Sequence, residues 1–261
     1  SERVARARRP PLAQADMTSA AGERRFQVLA DAQAVATEAA NHLIARTKAQ
    51  IRPAICLTGG SGPKALYALL GSPSWRSRIP WDRVHWFIGD ERFVSAGDPL
   101  NNMAMAKSIF LDRCAPPENI HPVPTDAPDP DQAARLYERE LQTFYGAHRL
   151  DASKPLFDLV LMGLGPDGHT ASLFPKDKAL DEAERWVVGV DHAHVEPFVP
   201  RVTLTLPALA SSREMLFLVT GDAKRDILSK IMAGADLPGA RAHSNGVTTW
   251  LTDAAAAGRT A

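Results

Sequence analysis

Short apolar runs alternate along the chain with longer segments in which apolar residues recur at helical spacing. From Arg25 onward, this alternation is typical of β-α-β units around a mostly parallel sheet. The apolar runs predict strands at residues 26–29, 54–57, 84–88, 156–162, 186–190, 202–206, 215–219 and 248–251. The helical periods predict helices at residues 31–48, 63–70, 102–110, 131–145, 223–233 and 253–257.

These elements predict a single Rossmann-like α/β domain over residues 23–261, with a mostly parallel twisted sheet flanked by helices. Asp31 is suited to cap one helix, and Pro63 suits the first turn of the next. Residues 1–22 are rich in Arg, Ala, Pro and Ser and have no apolar period. We therefore expect them to form a flexible N-terminal arm.

Composition excludes several classes of partner. The chain carries 30 Lys plus Arg and 30 Asp plus Glu, so its formal net charge is zero and no overall field favours nucleic acid or an anionic membrane. No apolar run approaches the roughly 20 residues that span a bilayer. The two cysteines, Cys56 and Cys114, form no disulfide framework, which favours a reducing compartment. We expect a cytoplasmic protein, and the sequence points to no particular protein partner.

Ligands of open parallel sheets bind beyond the carboxyl ends of the strands, so the residues after each apolar run are candidates for a site. The turn TGGSGP at residues 58–63 follows one predicted strand and precedes a helix. Glycines let the backbone approach an anion closely, and the helix start supplies free N–H groups. A tight turn without a ligand is the alternative. The candidate phosphate contacts in this turn are Gly59, Gly60, Ser61 and Gly62.

The segment GDERFV at residues 89–94 places three charged residues after another predicted strand. Glu91 and Arg92 are either a surface ion pair or part of a site. Asn102, which opens the next apolar helix, is suited equally to capping that helix and to contacting a ligand.

The most specific segment is GLGPDGHTASLFP at residues 163–175. A histidine after a glycine-rich turn can accept a proton from water near neutral pH, and a nearby carboxylate can fix its tautomer. His169 is therefore the candidate catalytic base. Two cations are further candidates. Arg201 opens a predicted strand. Lys224 lies near a helix start, where a cation is unfavourable next to the helix dipole, and a bound anion would explain its position. Solvated surface cations are the alternative.

In this order, the segments LTGGSGP, GDERFV followed by NN, GLGPDGHTASLFP, RVTLTLPAL, VTGDAK and WLTDAAAA resemble the 6-phosphogluconolactonases of the pentose phosphate pathway. The wider superfamily includes glucosamine-6-phosphate deaminases. The resemblance spans about residues 26–257. It implies hydrolysis of 6-phospho-D-glucono-1,5-lactone to 6-phospho-D-gluconate, without a cofactor.

The resemblance also implies roles for individual residues. His169 acts as base, and Arg201 and Lys224 hold the phosphate with the glycine turn, while Arg92 and Asp167 help to form the pocket. Asp167 joins His169 as a catalytic residue. Two positions depart from the family pattern: Gly62 stands where a Thr is usual, which removes a hydroxyl contact, and Asn101 stands where a Ser commonly precedes the Asn.

A deaminase is the main alternative, because that family also carries Asp-Gly-His. Its pattern then runs Ile-Ala-Phe-Asn-Glu-Pro, and Phe174 occupies the position of that Glu here. An apolar ring cannot relay a proton, whereas a lactone needs only the addition of water, so Phe174 favours the lactonase. A non-catalytic sugar-phosphate sensor is a second alternative, against which the intact His169 argues.

The expected mechanism is direct. His169 removes a proton from water as the water attacks the lactone carbonyl, and the tetrahedral oxyanion collapses with cleavage of the ring ester. No covalent intermediate with the enzyme is required. The sequence has no Cys cluster and no His pair at ligand spacing, so we expect no catalytic metal.

Overall fold

The computed structural model describes residues 17–19 and 22–259, which form an α/β fold with two sheets. The strands of the described residues are β1 (Met17–Ser19), β2 (Gly22–Leu29), β3 (Ala54–Leu57), β4 (His85–Ile88), β5 (Asp90–Arg92), β6 (Leu159–Met162), β7 (Val187–Val190), β8 (Arg201–Leu204), β9 (Glu214–Val219) and β10 (Val247–Asp253). The helices are α1 (Ala32–Ala49), α2 (Lys64–Gly71), α3 (Pro73–Arg76), α4 (Asn102–Ala106), α5 (Asp112–Cys114), α6 (Pro130–Tyr145), α7 (Leu206–Ala210), α8 (Arg225–Met232) and α9 (Pro238–Arg241).

The main sheet has seven strands in the order β1-β2-β10-β9-β6-β3-β4. All of its neighbouring pairs are parallel except β1 with β2. Every residue of β3, β6 and β9 is buried. Strands covered on both faces need apolar side chains on both, which explains why these segments are continuous apolar runs in the sequence. The predicted mostly parallel sheet is therefore confirmed.

A second sheet of three antiparallel strands, β5-β8-β7, adjoins the carboxyl end of β4. One residue, Gly89, separates β4 from β5, so the charged segment after β4 enters this sheet directly. The register places Arg92 opposite Arg201. Two sequence-distant arginines thus come to lie side by side.

Helix starts and ends follow local capping. The carboxylate of Asp31 accepts a hydrogen bond from the N–H of Ala34 at 2.8 Å, which confirms its predicted role as the cap of α1. Pro63 directly precedes α2. The predicted helix over residues 102–110 begins as α4 and continues as a π-helical segment, Lys107–Leu111, and then as α5.

Three sequence predictions were wrong. Residues 254–258 form a turn after β10 instead of a helix, because the carboxylate of Asp253 accepts hydrogen bonds from Gly221 and Ala256. The strand predicted over residues 202–206 ends at Leu204, since α7 begins at Leu206. The N-terminal arm does not extend to residue 22: β1 and the start of β2 lie within it, and residues 1–16 are outside the described residues.

Both cysteines are free, with Cys56 buried in β3. No helix in the described part of the chain is long and apolar enough to cross a membrane.

Candidate active site

A single continuous cavity of about 250 Å³ brings together the strand-end segments. Its walls come from the glycine turn after β3, from β5, from the loop after β6, from the start of β8 and from the segment after β9. The predicted residues that line it are Gly59, Gly60, Ser61, Gly62, Arg92, His169, Arg201 and Lys224. These segments are far apart in sequence, and the parallel sheet places their carboxyl ends at one edge.

The glycine turn is held at both of its sides. Its first residue, Thr58, is fixed by the hydroxyl of Tyr67, which accepts from its N–H at 3.0 Å and donates to its carbonyl at 2.7 Å. A Cβ on Gly59 would overlap the side-chain amide of Asn102, so the turn packs there without space for a side chain. Gly60 has a φ of +82°, a conformation that favours glycine. Around it a Cβ would meet nothing within 4 Å, so its backbone faces open space.

Glu91 is fully buried and forms no ion pair with Arg92, so of the two alternatives the surface ion pair was wrong. Its carboxylate instead accepts hydrogen bonds from the backbone N–H groups of Arg92, Asn102 and Met103, at 2.6–2.9 Å. Burial raises the pKa of Glu91 to about 7, against the lowering effect of these three donors. Glu91 thus ties β5 to the start of α4.

The two asparagines at the start of α4 have different roles: one caps the helix and the other contacts the glycine turn and β5. Asn101 caps the helix, accepting from the N–H of Ala104 at 2.8 Å, so of the two roles left open for Asn102 the capping role belongs to its neighbour. The amide of Asn102 donates to the carbonyl of Asp90 at 2.9 Å and packs on Gly59. Asn102 therefore joins the glycine turn to β5.

His169 lies on a loop that folds back on itself. The N–H of Gly165 donates to the carbonyl of His169 at 2.8 Å, and the imidazole packs on Gly165 so closely that a Cβ there would overlap the ring. Nδ1 lies 2.5 Å from Oδ1 of Asp167, which also accepts from the N–H of His169 at 3.1 Å. When the carboxylate accepts from Nδ1–H, the lone pair of neutral imidazole is on Nε2.

Asp167 does not line the cavity and instead supports His169. Burial acts to raise the pKa of Asp167, but the hydrogen bonds from the ring and backbone of His169 outweigh it, and the pKa lies below its ordinary value. The carboxylate is therefore ionised at neutral pH and holds the Nδ1 proton.

Phe174 is fully buried and its ring centroid lies 5.0 Å from that of His169. The guanidinium carbon of Arg201 lies 6.0 Å from the same ring centroid. The side chain of residue 174 can neither donate nor accept a proton. Its ring instead packs against one side of the imidazole and limits the movement of that ring.

The two arginines of the cavity bind backbone carbonyls. Arg201 donates to Pro197 at 2.8 Å and to Val199 at 3.2 Å, and Arg92 donates to Leu100 at 2.9 Å. Neither forms an ion pair with a carboxylate of the described residues, and the buried Nε of Arg92 has no hydrogen-bond partner there. Burial lowers the pKa of Arg201, and the charge of Asp90 partly offsets this effect. Two guanidinium groups without a salt bridge to a carboxylate of the described residues favour an anionic ligand.

Lys224 ends the 3₁₀ turn Asp222–Lys224 directly before α8. Its Nζ donates to the carbonyl of Leu164 at 2.6 Å, next to the glycine on which His169 packs. Burial lowers the pKa of Lys224, and the charge of Asp167 partly offsets this effect. The lysine thus adds a third cation to the cavity and contacts the loop of the candidate base.

Asp90 lines the cavity and was not predicted as a site residue. It stands in the same GDERFV segment as Glu91 and Arg92. The sequence signal was the position after a strand, but nothing in it separates the acidic residue that faces the cavity from the one that binds the backbone. Within the described residues, no three His, Cys, Asp or Glu side chains are grouped so that they could hold a metal ion.

Comparison with known proteins shows the family and the fold of the chain. The family model for glucosamine-6-phosphate isomerases/6-phosphogluconolactonase matches residues 30–250. The 6-phosphogluconolactonase of Synechocystis sp. is 43% identical over 206 residues, 76% of this chain and 81% of that protein. The crystal structure of the devB protein matches with a TM-score of 0.82 and 31% identity, covering 91% of this chain and 100% of that one. The 6-phosphogluconolactonase of Thermotoga maritima matches with a TM-score of 0.76 and 29% identity, covering 88% and 99%.

Proposed function

The chain belongs to the glucosamine-6-phosphate isomerase/6-phosphogluconolactonase family, and from its site we propose that His169 is the general base of its reaction. The chain is an enzyme of the lactonase branch: it hydrolyses 6-phospho-D-glucono-1,5-lactone to 6-phospho-D-gluconate, a step of the pentose phosphate pathway.

The observation that carries the proposal is the pairing of His169 with Asp167. The carboxylate of Asp167 accepts a hydrogen bond from Nδ1–H at 2.5 Å, which leaves Nε2 of a cavity-lining imidazole as a proton acceptor. A base oriented in this way accepts a proton from water as the water attacks the lactone carbonyl. Asp167 then stabilises the imidazolium that forms, since it stays ionised.

At the lactone carbonyl carbon, one C–O bond forms and another breaks. The water oxygen bonds to the lactone carbonyl carbon, and the carbonyl becomes a tetrahedral oxyanion while the water proton moves to Nε2. The oxyanion then collapses, the ring C–O ester bond breaks, and the imidazolium proton passes to the departing ring oxygen. His169 is thereby restored, and no bond between substrate and enzyme is needed.

The phosphate of the substrate binds at the cationic part of the cavity. Arg201 and Lys224 supply charge, the backbone of the turn Gly59–Gly62 supplies N–H groups, and Arg92 contributes to the pocket. The unpartnered Nε of Arg92 and the open backbone at Gly60 support this assignment, because both leave donors for an anion.

Phe174 favours lactone hydrolysis over deamination of an amino-sugar phosphate. Ring opening and isomerisation of such a substrate require a further proton carrier, and the buried ring beside His169 cannot serve as one. Addition of water to a lactone needs one base only.

The test is an assay of the purified protein on 6-phosphogluconolactone against the spontaneous opening of the lactone, with glucosamine 6-phosphate assayed beside it. We expect lactone opening well above the background and no release of ammonia. Deamination at a comparable rate, or lactone opening at the background rate, contradicts the proposal.

A further inference from the structure

A buried carboxylate lines the cavity but takes no part in the reaction of His169. Asp90 opens β5 and is 7% exposed. Its Oδ2 accepts a hydrogen bond from the hydroxyl of Ser172 at 2.6 Å, and Ser172 is completely buried. Ser172 does not line the cavity, whereas Asp90 does. The serine therefore supports the carboxylate from outside the cavity.

The backbone around Asp90 is fixed on both sides. Asp90 pairs with Thr203 of β8, and its carbonyl accepts from the amide of Asn102 at 2.9 Å. The hydroxyl of Thr203 in turn accepts from the N–H of Ser172 at 3.3 Å. The carboxylate is thus held by the small sheet, by α4 and by the loop that carries His169, so that its position relative to the base is preorganised.

Asp90 has no direct salt bridge among the described residues, although its charge acts on the guanidinium of Arg201. No hydrogen bond from a described residue reaches Oδ1. This oxygen is not among the fully buried atoms without a partner, so it is open to the cavity and free to accept a hydrogen bond. A carboxylate there repels a substrate that is itself an anion. An acidic group in this position is explained by a ligand that donates hydrogen bonds to it.

Hydroxyl groups are the donors that fit. An ionised carboxylate only accepts hydrogen bonds, and O–H donors bind it more strongly than they bind neutral acceptors. We propose that Asp90 accepts hydrogen bonds from ring hydroxyls of the sugar lactone and so determines the specificity of the site for a polyhydroxylated ring. This inference rests on the proposed lactonase function.

The test compares substrates that differ by one hydroxyl. The kcat/KM of the wild-type enzyme is measured for 6-phosphogluconolactone and for its 2-deoxy, 3-deoxy and 4-deoxy analogues. We expect at least one analogue to be opened about 10- to 100-fold less efficiently, because a charged acceptor then loses its partner. In Asp90→Ala, the same analogue should be opened about as efficiently as the full substrate, since the acceptor is gone.

Two further variants make the result specific. Asp90→Asn keeps one acceptor oxygen and the shape of the side chain, so we expect it to fold and to show a preference between those of wild type and Asp90→Ala. Asp181→Ala removes an exposed carboxylate that does not line the cavity and should keep the wild-type preference.

Equal efficiency of wild type on all four lactones overturns the inference, as does an unchanged preference in the folded Asp90 variants. Both outcomes leave lactone hydrolysis itself standing. Failure of the wild type to open any of the four lactones instead refutes the proposed function.

Discussion

The imidazole of His169 rests directly on the Cα of Gly165, four residues earlier on the same loop. A Cβ at residue 165 would overlap the ring atoms Cε1 and Nδ1. The imidazole can occupy this position because residue 165 has no side chain, and its Nδ1 lies 2.5 Å from the carboxylate of Asp167. The geometry of the proposed base depends on this one glycine.

Gly165→Ala should therefore lower kcat, because the methyl group displaces the imidazole from Asp167 and from the attacking water. We expect a loss of about 10²-fold, the cost typical of a catalytic group misplaced by about 1 Å. Steady-state kinetics on 6-phosphogluconolactone check it. Gly97→Ala is the matched control, since Gly97 is exposed and a Cβ there meets nothing within 4 Å. Wild-type kcat in Gly165→Ala contradicts the positioning role.

Arg201→Ala and Lys224→Ala should each weaken binding of 6-phosphogluconate. Loss of a charge-assisted hydrogen bond to phosphate costs about 1.5–3 kcal/mol, or about 10- to 150-fold in Kd. Isothermal titration calorimetry measures the change. Lys230→Ala removes an exposed cation of helix α8, which follows Lys224, and should bind as wild type does. Unchanged affinity in both cavity variants removes these residues from the phosphate site.

Gly62→Thr should strengthen phosphate binding, because it restores the hydroxyl that the family pattern has at this position. There is room for the substitution: the nearest atom to a Cβ on Gly62 is the carbonyl oxygen of Leu218, at 3.8 Å. We expect KM to fall by about 2- to 10-fold, in line with about 0.5–1.5 kcal/mol for one hydrogen bond. Gly62→Val has the same shape without the hydroxyl and separates the two effects. An equal change in both variants argues against a hydroxyl contact.

His42 should make the stability of the fold depend on pH. Its Nδ1 lies 2.6 Å from Glu214, and Glu38 and Arg46 complete the cluster. The hydrogen bond that His42 donates to Glu214, opposed by burial, raises the pKa of His42 above 6.5. The folded state thus binds the proton more tightly, so the stabilisation is fully present below about pH 6.5 and is lost as the pH rises through the raised pKa.

Thermal unfolding of wild type and His42→Gln, recorded between pH 5.5 and pH 9, checks this sign. The Tm difference should be largest at low pH and should shrink as the pH rises. His148→Gln alters an exposed histidine whose ring is hydrogen-bonded to Gln142, and it serves as the control. A Tm difference that is constant with pH, or that grows as the pH rises, contradicts the prediction.

Much of the fold was predictable because burial marks parallel strands in the sequence. β3 was predicted to the residue, since all four of its side chains are buried between two layers. The alanine-rich residues 254–257 were misassigned because helix propensity is local, whereas the turn is held by Asp253 through a hydrogen bond to the distant Gly221.

The site residues that lie at or near strand ends were predictable from the sequence. His169, Arg201 and Lys224 all line one cavity because each lies at or near the end of a strand. The roles of Asp90 and Glu91 were not separable, since adjacent residues of a strand point to opposite faces and the sequence does not say which face is the cavity. The sequence likewise left capping and ligand contact open for Asn102, because the local pattern does not show which of two adjacent asparagines caps the helix.

His169 is the centre of the account, and its replacement tests the proposed chemistry apart from binding. The proposed phosphate contacts are on other segments, so His169→Ala should fold and bind 6-phosphogluconate with an affinity near that of wild type. Its imidazole is the only group to which we assign the water proton.

The most direct measurement is kcat of His169→Ala on 6-phosphogluconolactone, corrected for spontaneous opening, with calorimetric binding of 6-phosphogluconate as proof of an intact site. The account predicts that kcat falls by about 10²–10⁴, the loss expected for a general base, while the Kd changes little. A folded variant that binds the product and turns over the lactone at a rate near that of wild type would contradict it.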